Sequence, residues 1–403
     1  MESFRSLDVG VIGARAKKAA TNQTVTPFFD KLSETGVLFR QHYTPCVQTS
    51  RTLVTSLFGT MPSLTEWSAL ATSDESKLRM HGLPQILKEK LQYESVFWSA
   101  VNLRWENWSL FLAAHGFDKL LDENKVLDYL PESRRSALTE DDSFSWGRHD
   151  KISLEALEHF LEQRQGGSNG DRQPLFLDVY TISSHDPWVL PQSFSPSTNY
   201  STFITEDNEK YLHALNYVDQ SIEQLVTNLR RKGLLRNTVL LLEGDHGYGR
   251  MEHDDPTVVA SYVYDEGSHI PMLLVADDLL PAHQKGMVVD DLTSQTDLQA
   301  TITDMLGLRD FMQHGMGQSM MRRSGSNAVV EQASSGAWNA SANSSVDAVT
   351  NASSRANAHT STRPTMAPRS VLLENPFYGT TKGLRVGHLK YALYGSGSAA
   401  WTK

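Results

Sequence analysis

Short apolar runs alternate along this chain with longer stretches whose apolar residues recur at steps of three and four, and few folds accept that alternation. Val96–Val101, Leu175–Ile182, Val239–Glu243 and Pro271–Val275 are rich in β-branched and aromatic residues, as strands buried on both faces are. Leu215, Val218, Ile222, Leu225 and Leu229 form one helical stripe, which Gly233 is placed to stop. Leu154, Leu157 and Leu161 form a second, with Asp150 or Ser153 as its cap. Leu298, Ile302 and Met305 form a third, ended by Gly307. Core packing accounts for the stripes by itself. The alternation predicts an α/β class with a mainly parallel central sheet sandwiched by helices.

Hydrophobic residues are 39% of the 403, enough for a sizeable core, which excludes a wholly disordered chain. The net charge of −10 lacks the basic footprint of a nucleic-acid binder. Cys46 is the single cysteine, so an internal disulfide framework and a multi-cysteine zinc module are both excluded. No apolar run approaches the roughly 20 residues of a membrane span, and no signal-type segment precedes Glu2, so these residues are expected to be soluble. Composition turns at Arg323. Residues 323–368 are rich in Ser, Ala, Asn and Thr, too poor in large apolar groups to offset their ordering entropy, and are predicted to be a disordered insertion. Order is expected to resume in residues 369–403 with Val371–Leu373 and Leu384–Leu393, a small C-terminal antiparallel element completing the domain of residues 1–322.

The strand Val239–Leu242 runs directly into Glu243-Gly244-Asp245-His246-Gly247. Ligands of open α/β sheets bind beyond the carboxyl ends of strands, so Asp245 and His246 emerge where a site is expected. A carboxylate beside an imidazole offers oxygen and nitrogen ligands to a divalent metal, and Gly244 and Gly247 let the backbone turn sharply around them. A turn that hydrogen-bonds only to itself is the other reading. Thr49-Ser50-Arg51 precedes the apolar Leu53, Val54 and Leu57. A hydroxyl opening a helix lies at the positive end of the dipole, a good place for a phosphate or sulfate. Metal coordination would make that hydroxyl a nucleophile, and Arg51 suits the anionic oxygens. An ordinary N-cap is the alternative. Glu2, at the start of Glu2-Ser3-Phe4, is placed either to complete a metal shell or to lie on a frayed terminus. His185 leaves the carboxyl end of Leu175–Ile182, on the same edge as Asp245, whereas His269 precedes Pro271–Val275 at its amino end. Arg104 follows Val96–Val101.

In chain order these pieces resemble the sulfatase and alkaline-phosphatase superfamily, and within it the lipoteichoic-acid-synthase-like branch of phosphoglycerol transferases. The likeness runs through Glu2-Ser3-Phe4, Thr26-Pro27-Phe28-Phe29-Asp30, Thr49-Ser50-Arg51, Gly116-Phe117-Asp118, Trp146-Gly147 with Asp150, Ser184-His185-Asp186-Pro187, Asp245-His246-Gly247 and His269-Ile270-Pro271. It implies one or two divalent metals at the carboxyl edge, Mn2+ or Zn2+ first and Mg2+ or Ca2+ next. By motif, Glu2, Thr49, Asp245 and His246 would bind the metal, and Thr49 would also be the nucleophile. His185, Arg104, Arg51 and His269 would hold the anionic group of the substrate. The implied activity is transfer or hydrolysis of a phosphate-containing ester of the phosphoglycerol or phosphoethanolamine type. The implied partner is an anionic ester such as a lipid head group, not nucleic acid. The implied location of a full-length form is extracytoplasmic or membrane-associated.

Three departures bear on that reading. Sulfatases carry Cys or Ser in a Cys-X-Pro-Ser-Arg pattern that is oxidised to formylglycine. Here Arg51 lies five residues after Cys46, not four, and Thr49 stands where proline would be. Phosphoryl transfer is therefore favoured over sulfate-ester hydrolysis, which stays as the alternative enzyme reading. The family also has an apolar strand just before the Glu-Ser-Phe motif, so a truncated first strand is expected, and a non-catalytic remnant is the third reading. Residues 323–368 are atypical and carry no expected catalytic role. Six N-X-Ser/Thr sequons, at Asn22, Asn107, Asn199, Asn339, Asn343 and Asn351, suit a secreted glycoprotein without establishing one.

Overall fold

The computed structural model describes residues 1–13, 24–61, 80–166, 173–196, 206–248, 265–308 and 315–322, with four strands between 370 and 402. Helices α1 (Pro27–Ser33), α2 (Thr49–Phe58), α3 (Leu83–Leu91), α4 (Trp108–Ala114), α5 (Asp150–Gly166), α6 (Glu206–Arg231) and α7 (Leu298–Met305) surround two sheets. Strands β1 (Val37–Phe39), β5 (Leu240–Glu243), β6 (Met272–Val275) and β7 (Met287–Val289) form one, in the order β7-β1-β6-β5. Strands β2 (Glu94–Ser99), β3 (Lys119–Leu121) and β4 (Leu175–Tyr180) form the other, in the order β3-β2-β4. The four expected strands are β2, β4, β5 and β6, each within two residues of its expected start and end.

The sheets are α/β but mixed. β2 runs parallel to β3 and β4, and β1 parallel to β7, whereas β6 runs antiparallel to both β1 and β5. Periodicity reveals that a strand exists, not its direction, and β6 reads no differently from its parallel neighbours. The reversal has a consequence for function. The amino end of β6 lies at the carboxyl end of β5, where Met272 pairs with Glu243.

Burial follows the apolar pattern. Val96, Phe97 and Trp98 of β2 and Met272 and Leu273 of β6 are fully buried. Each large apolar side chain so placed contributes roughly 1.5–3 kcal/mol. Trp98 still satisfies its indole N–H, which donates to Ser153 Oγ at 3.0 Å. On α6, Leu215, Val218, Ile222 and Leu229 enter the main core beside Leu154 and Leu157 of α5. Gly233 and Gly307 follow α6 and α7 with φ of 70° and 76°, a left-handed turn that a Cβ would strain.

The strands β4 and β5 do not pair with each other, and residues 1–4 bridge their carboxyl ends. The Met1 ammonium donates to Glu243 O at 2.7 Å, and Asp245 N donates to Met1 O at 3.0 Å. Glu2 N donates to Thr181 Oγ1, just past β4, at 3.1 Å. These bonds hold the terminus against fraying. Four C-terminal strands, β8 (Ser370–Glu374), β9 (Lys382–Val386), β10 (Leu389–Leu393) and β11 (Ala399–Thr402), form an antiparallel sheet, as the small C-terminal element was expected to do. The expected insertion at 323–368 lies outside the described residues.

A buried acid fixes α1. Thr26 at its N-cap makes no side-chain cap. Asp219 of α6 caps it from outside, accepting from Phe28 N at 2.8 Å and Phe29 N at 2.9 Å. Burial pushes the Asp219 carboxyl up to about 7. The folded chain therefore holds this proton more tightly than the unfolded one. The group's contribution to stability is complete below its unfolded pKa and is lost as pH rises through the folded value. Asp219→Asn should flatten the stability profile between about pH 4 and pH 7, read by urea denaturation. Asp219→Ala should also cost about 1–3 kcal/mol, because it leaves two buried amides unpaired.

Candidate metal centre

Four residues from three separate parts of the chain meet beyond the carboxyl ends of β4 and β5. Ligand atoms of Glu2, Asp245 and His246 lie within 4.8 Å of one another. Thr49, the first residue of α2, places its Oγ1 3.3 Å from Glu2 Oε2 and 3.2 Å from His246 Nε2. Glu2 is fully buried, Asp245 nearly so, and Thr49 is 8% exposed.

Local backbone explains how each arrives. Ser3 adopts φ of 50°, rare for a residue with a Cβ, and its N–H donates to Asp245 Oδ1 at 2.8 Å. Gly244 and Gly247 serve close approach rather than unusual dihedrals. A Cβ at Gly244 would meet Phe4 O at 2.2 Å, and one at Gly247 would meet Glu266 O at 1.9 Å. The glycines let two backbone segments press against the strand end. His246 Nδ1 faces Gly247 O at 3.1 Å. A carbonyl only accepts, so the network assigns the proton to Nδ1 and leaves the Nε2 lone pair facing Thr49 and the carboxylates.

Burial first, and the Asp245 charge second, raise the Glu2 carboxyl above its ordinary value. Ser3 Oγ donates to Glu2 Oε1 at 2.5 Å and offsets part of that cost. Two buried carboxylates, an imidazole lone pair and a hydroxyl make a donor set that fits a divalent cation with mixed oxygen and nitrogen preference, such as Zn2+ or Mn2+. The negative charge concentrated there is what such an ion would balance.

His185 stands beside this group. Burial pulls its pKa down, but bonding to Asp186 and the charge of Glu2 outweigh that and lift it to about 9. Nδ1 lies 2.8 Å from Asp186 O and 2.9 Å from Asp186 Oδ1. The ring is thus cationic at neutral pH and suits an anion. Its ring centroid is 4.4 Å from that of Trp146.

The other expected anion-holding residues are Arg51, Arg104 and His269. The Arg51 side chain is buried and its Nε donates to Gln48 Oε1 at 2.7 Å. Arg104 is exposed at the start of the turn Trp105–Asn107. His269 stacks on Tyr43 at 4.7 Å and its Nε2 meets Arg40 O at 2.8 Å. It reaches this edge because β6 is reversed. Cys46 is fully buried on the approach to α2, and Thr49 is the residue at the cluster.

A supporting layer escaped sequence reasoning. His42 Nε2 bonds Glu243 Oε1 at 2.7 Å, and Gln295 Nε2 reaches Asp245 O at 3.2 Å. Ser184 Oγ donates to Glu2 O at 2.5 Å. The buried Asp150 carboxylate accepts from Ile182 N at 2.9 Å and Ser183 N at 2.8 Å, clamping the segment that carries Ser184 and His185. None of these has a local signature, because each partner is distant in sequence. In the sequence Asp150 reads as a cap of α5 and as the partner of Trp146-Gly147 in the resemblance, but not as this clamp. Asp150→Ala should cost about 1–3 kcal/mol and speed hydrogen exchange at the amides of Ile182 and Ser183, measured by NMR or mass spectrometry.

Comparisons with known proteins bear on the family and the fold. The sulfatase family model matches residues 1–308. Lipoteichoic acid synthase of Staphylococcus saprophyticus is 24% identical over 335 residues, which cover 76% of this chain and 44% of that protein. The chain thus spans less than half the length of that curated relative. A protein of the alkaline phosphatase superfamily from Vibrio parahaemolyticus superposes with a TM-score of 0.67 at 18% identity, covering 99% of this chain and 76% of its own. The lipoteichoic acid synthase LtaP from Listeria monocytogenes superposes at 0.65 and 14% identity, covering 99% and 84%. These two likenesses speak to the fold.

Proposed function

On the premise that this chain belongs to the sulfatase family, we propose that it is a metal-dependent enzyme acting on a phosphate-containing ester through Thr49. The substrate class is a phosphoglycerol- or phosphoethanolamine-type ester, such as a lipid head group. The relatives that carry the reading further are named for lipoteichoic acid synthesis. The observation that supports it most is the position of Thr49 Oγ1 between Glu2 Oε2 and His246 Nε2.

Glu2, Asp245, His246 and Thr49 would hold a divalent cation, Zn2+ or Mn2+ by their donor types. When bound, such an ion lowers the pKa of a coordinated hydroxyl and polarises phosphoryl oxygens. The remaining chemistry belongs to side chains of this chain. Thr49 opens a ten-residue helix, so its oxygen lies where the dipole favours negative charge. Glu2 Oε2 is 3.3 Å away to accept its hydrogen. Thr49 Oγ attacks phosphorus, the bond from phosphorus to the leaving oxygen breaks, the leaving alcohol departs with the proton that Glu2 took from Thr49, and the phosphoryl group stays on Thr49. A second alcohol or water then attacks that phosphorus and returns Thr49 as its free hydroxyl. Cationic His185 faces the anionic oxygens of the substrate. Arg104, exposed on the β2 side, would reach the same group only by swinging inward. Arg51 Nε is held by Gln48 and His269 Nε2 by Arg40 O, so either would bind the same group only after leaving those partners. Among the described residues no helix is long and apolar enough to cross a membrane. The proposal includes an extracytoplasmic or membrane-associated setting, which suits relatives named for lipoteichoic acid synthesis.

Two measurements test this reading. Purified protein given Mn2+ and a glycerophosphodiester should gain one phosphoryl or phosphoglycerol mass on the peptide containing Thr49. Thr49→Ala should gain none and lose at least ~10³-fold in turnover. Equal turnover by the Ala variant would refute the mechanism. Metal-stripped protein should gain about 2.7 kcal/mol of stability with Zn2+ or Mn2+ at 100 times its Kd, and Asp245→Ala should lose that gain.

A further inference from the structure

Tyr180 ends β4, an edge strand of its sheet, and nothing in the proposed reaction uses it. Its hydroxyl donates to Asp245 Oδ2 at 2.7 Å. The other oxygen, Oδ1, already accepts twice, from Ser3 N at 2.8 Å and from His246 N at 2.6 Å. A carboxylate oxygen has two lone pairs. Oδ1 is therefore filled by amides, and Oδ2 keeps one lone pair after the phenol has taken the other. Oδ2 is also the oxygen that faces His246 Nε2, at 3.5 Å.

We propose that Tyr180 is a positioning residue that makes Asp245 a one-oxygen ligand, presenting only Oδ2 to a divalent cation shared with Glu2 and His246. The inference rests on the reading of that cluster as a cation site. Tyr180 is well held for the task. It is 8% exposed, and its ring packs edge-on against Trp108 at 5.3 Å. Trp108 is anchored in turn, its Nε1–H donating to Ser50 Oγ at 2.8 Å. One rigid aromatic contact thus ties Asp245 to the first turn of α2, which carries Thr49. Without the phenol, the carboxylate is free to rotate about its two amide bonds and to offer Oδ2 in another direction.

Phenylalanine keeps the ring and its packing and removes only the donor, so Tyr180→Phe separates positioning from folding. Metal-free full chain is titrated calorimetrically with Zn2+, and a melting curve without metal checks the fold. Tyr180→Phe should bind Zn2+ about 10–100-fold more weakly than wild type, while still showing a single cooperative melting transition without metal. Affinities within about twofold of each other would overturn the inference while leaving the cation site standing. A wild-type chain that takes up no Zn2+ would remove the cation site, and the inference with it. Should the Phe variant not fold, 3-fluorotyrosine at position 180 gives a second reading. Its fluorine resonance should shift when Zn2+ binds, and an unmoved resonance on a Zn2+-loaded chain would overturn the inference.

Discussion

Two carboxylates, Glu2 and Asp245, share one buried corner, and the surrounding structure is arranged around their mutual repulsion. Like charges so close in a low-dielectric interior cost several kcal/mol unless something balances them. The fold supplies part of the balance from its own groups. Backbone N–H groups of Ser3 and His246 point at Asp245, Ser3 Oγ points at Glu2, and cationic His185 stands beside them. The left-handed backbone of Ser3 is strain held at this corner by those same bonds. In the proposed reading, a dication held by Glu2, Asp245 and His246 would complete the balance.

The sheet topology makes the corner possible. β4 and β5 deliver their carboxyl ends side by side without pairing, and the first residues of the chain lie across both. α2 then brings its amino end to the same point. A hydroxyl, two carboxylates and an imidazole drawn from residues 2, 49, 245 and 246 thereby share one small volume. Behind them, the bonds of Tyr180, Gln295, Ser184 and Asp150 convert strand ends, which would otherwise be loose, into a fixed frame.

Much of this was readable in the sequence, and the physical reasons differ by level. Apolar runs locate β2, β4, β5 and β6 because burial on both faces demands continuous hydrophobicity. Helical stripes locate α5, α6 and α7 for the analogous reason. Asp245 and His246 were legible because a strand end in an α/β sheet is a known place for ligands. Glu2 was legible only through resemblance, since a terminal carboxylate by itself reads as frayed. The direction of β6 was not legible, because antiparallel and parallel buried strands share one pattern. Tyr180 was hidden for a related reason. In Leu175–Tyr180 it reads as one more strand residue, and its hydroxyl acquires meaning only when β5 delivers Asp245 to it. For the expected anion-holding arginines the motif order does not supply the contacts: Arg51 Nε donates to Gln48 Oε1, and Arg104 is exposed.

The most direct test of the whole account is diffraction from crystals of this chain grown with Zn2+, with anomalous data at the zinc edge. The account predicts one strong peak at about 2.0–2.2 Å from a carboxylate oxygen of Glu2, Oδ2 of Asp245 and Nε2 of His246, with Thr49 Oγ1 turned toward it. A peak elsewhere on the molecule, with that corner intact and empty of zinc, would contradict it.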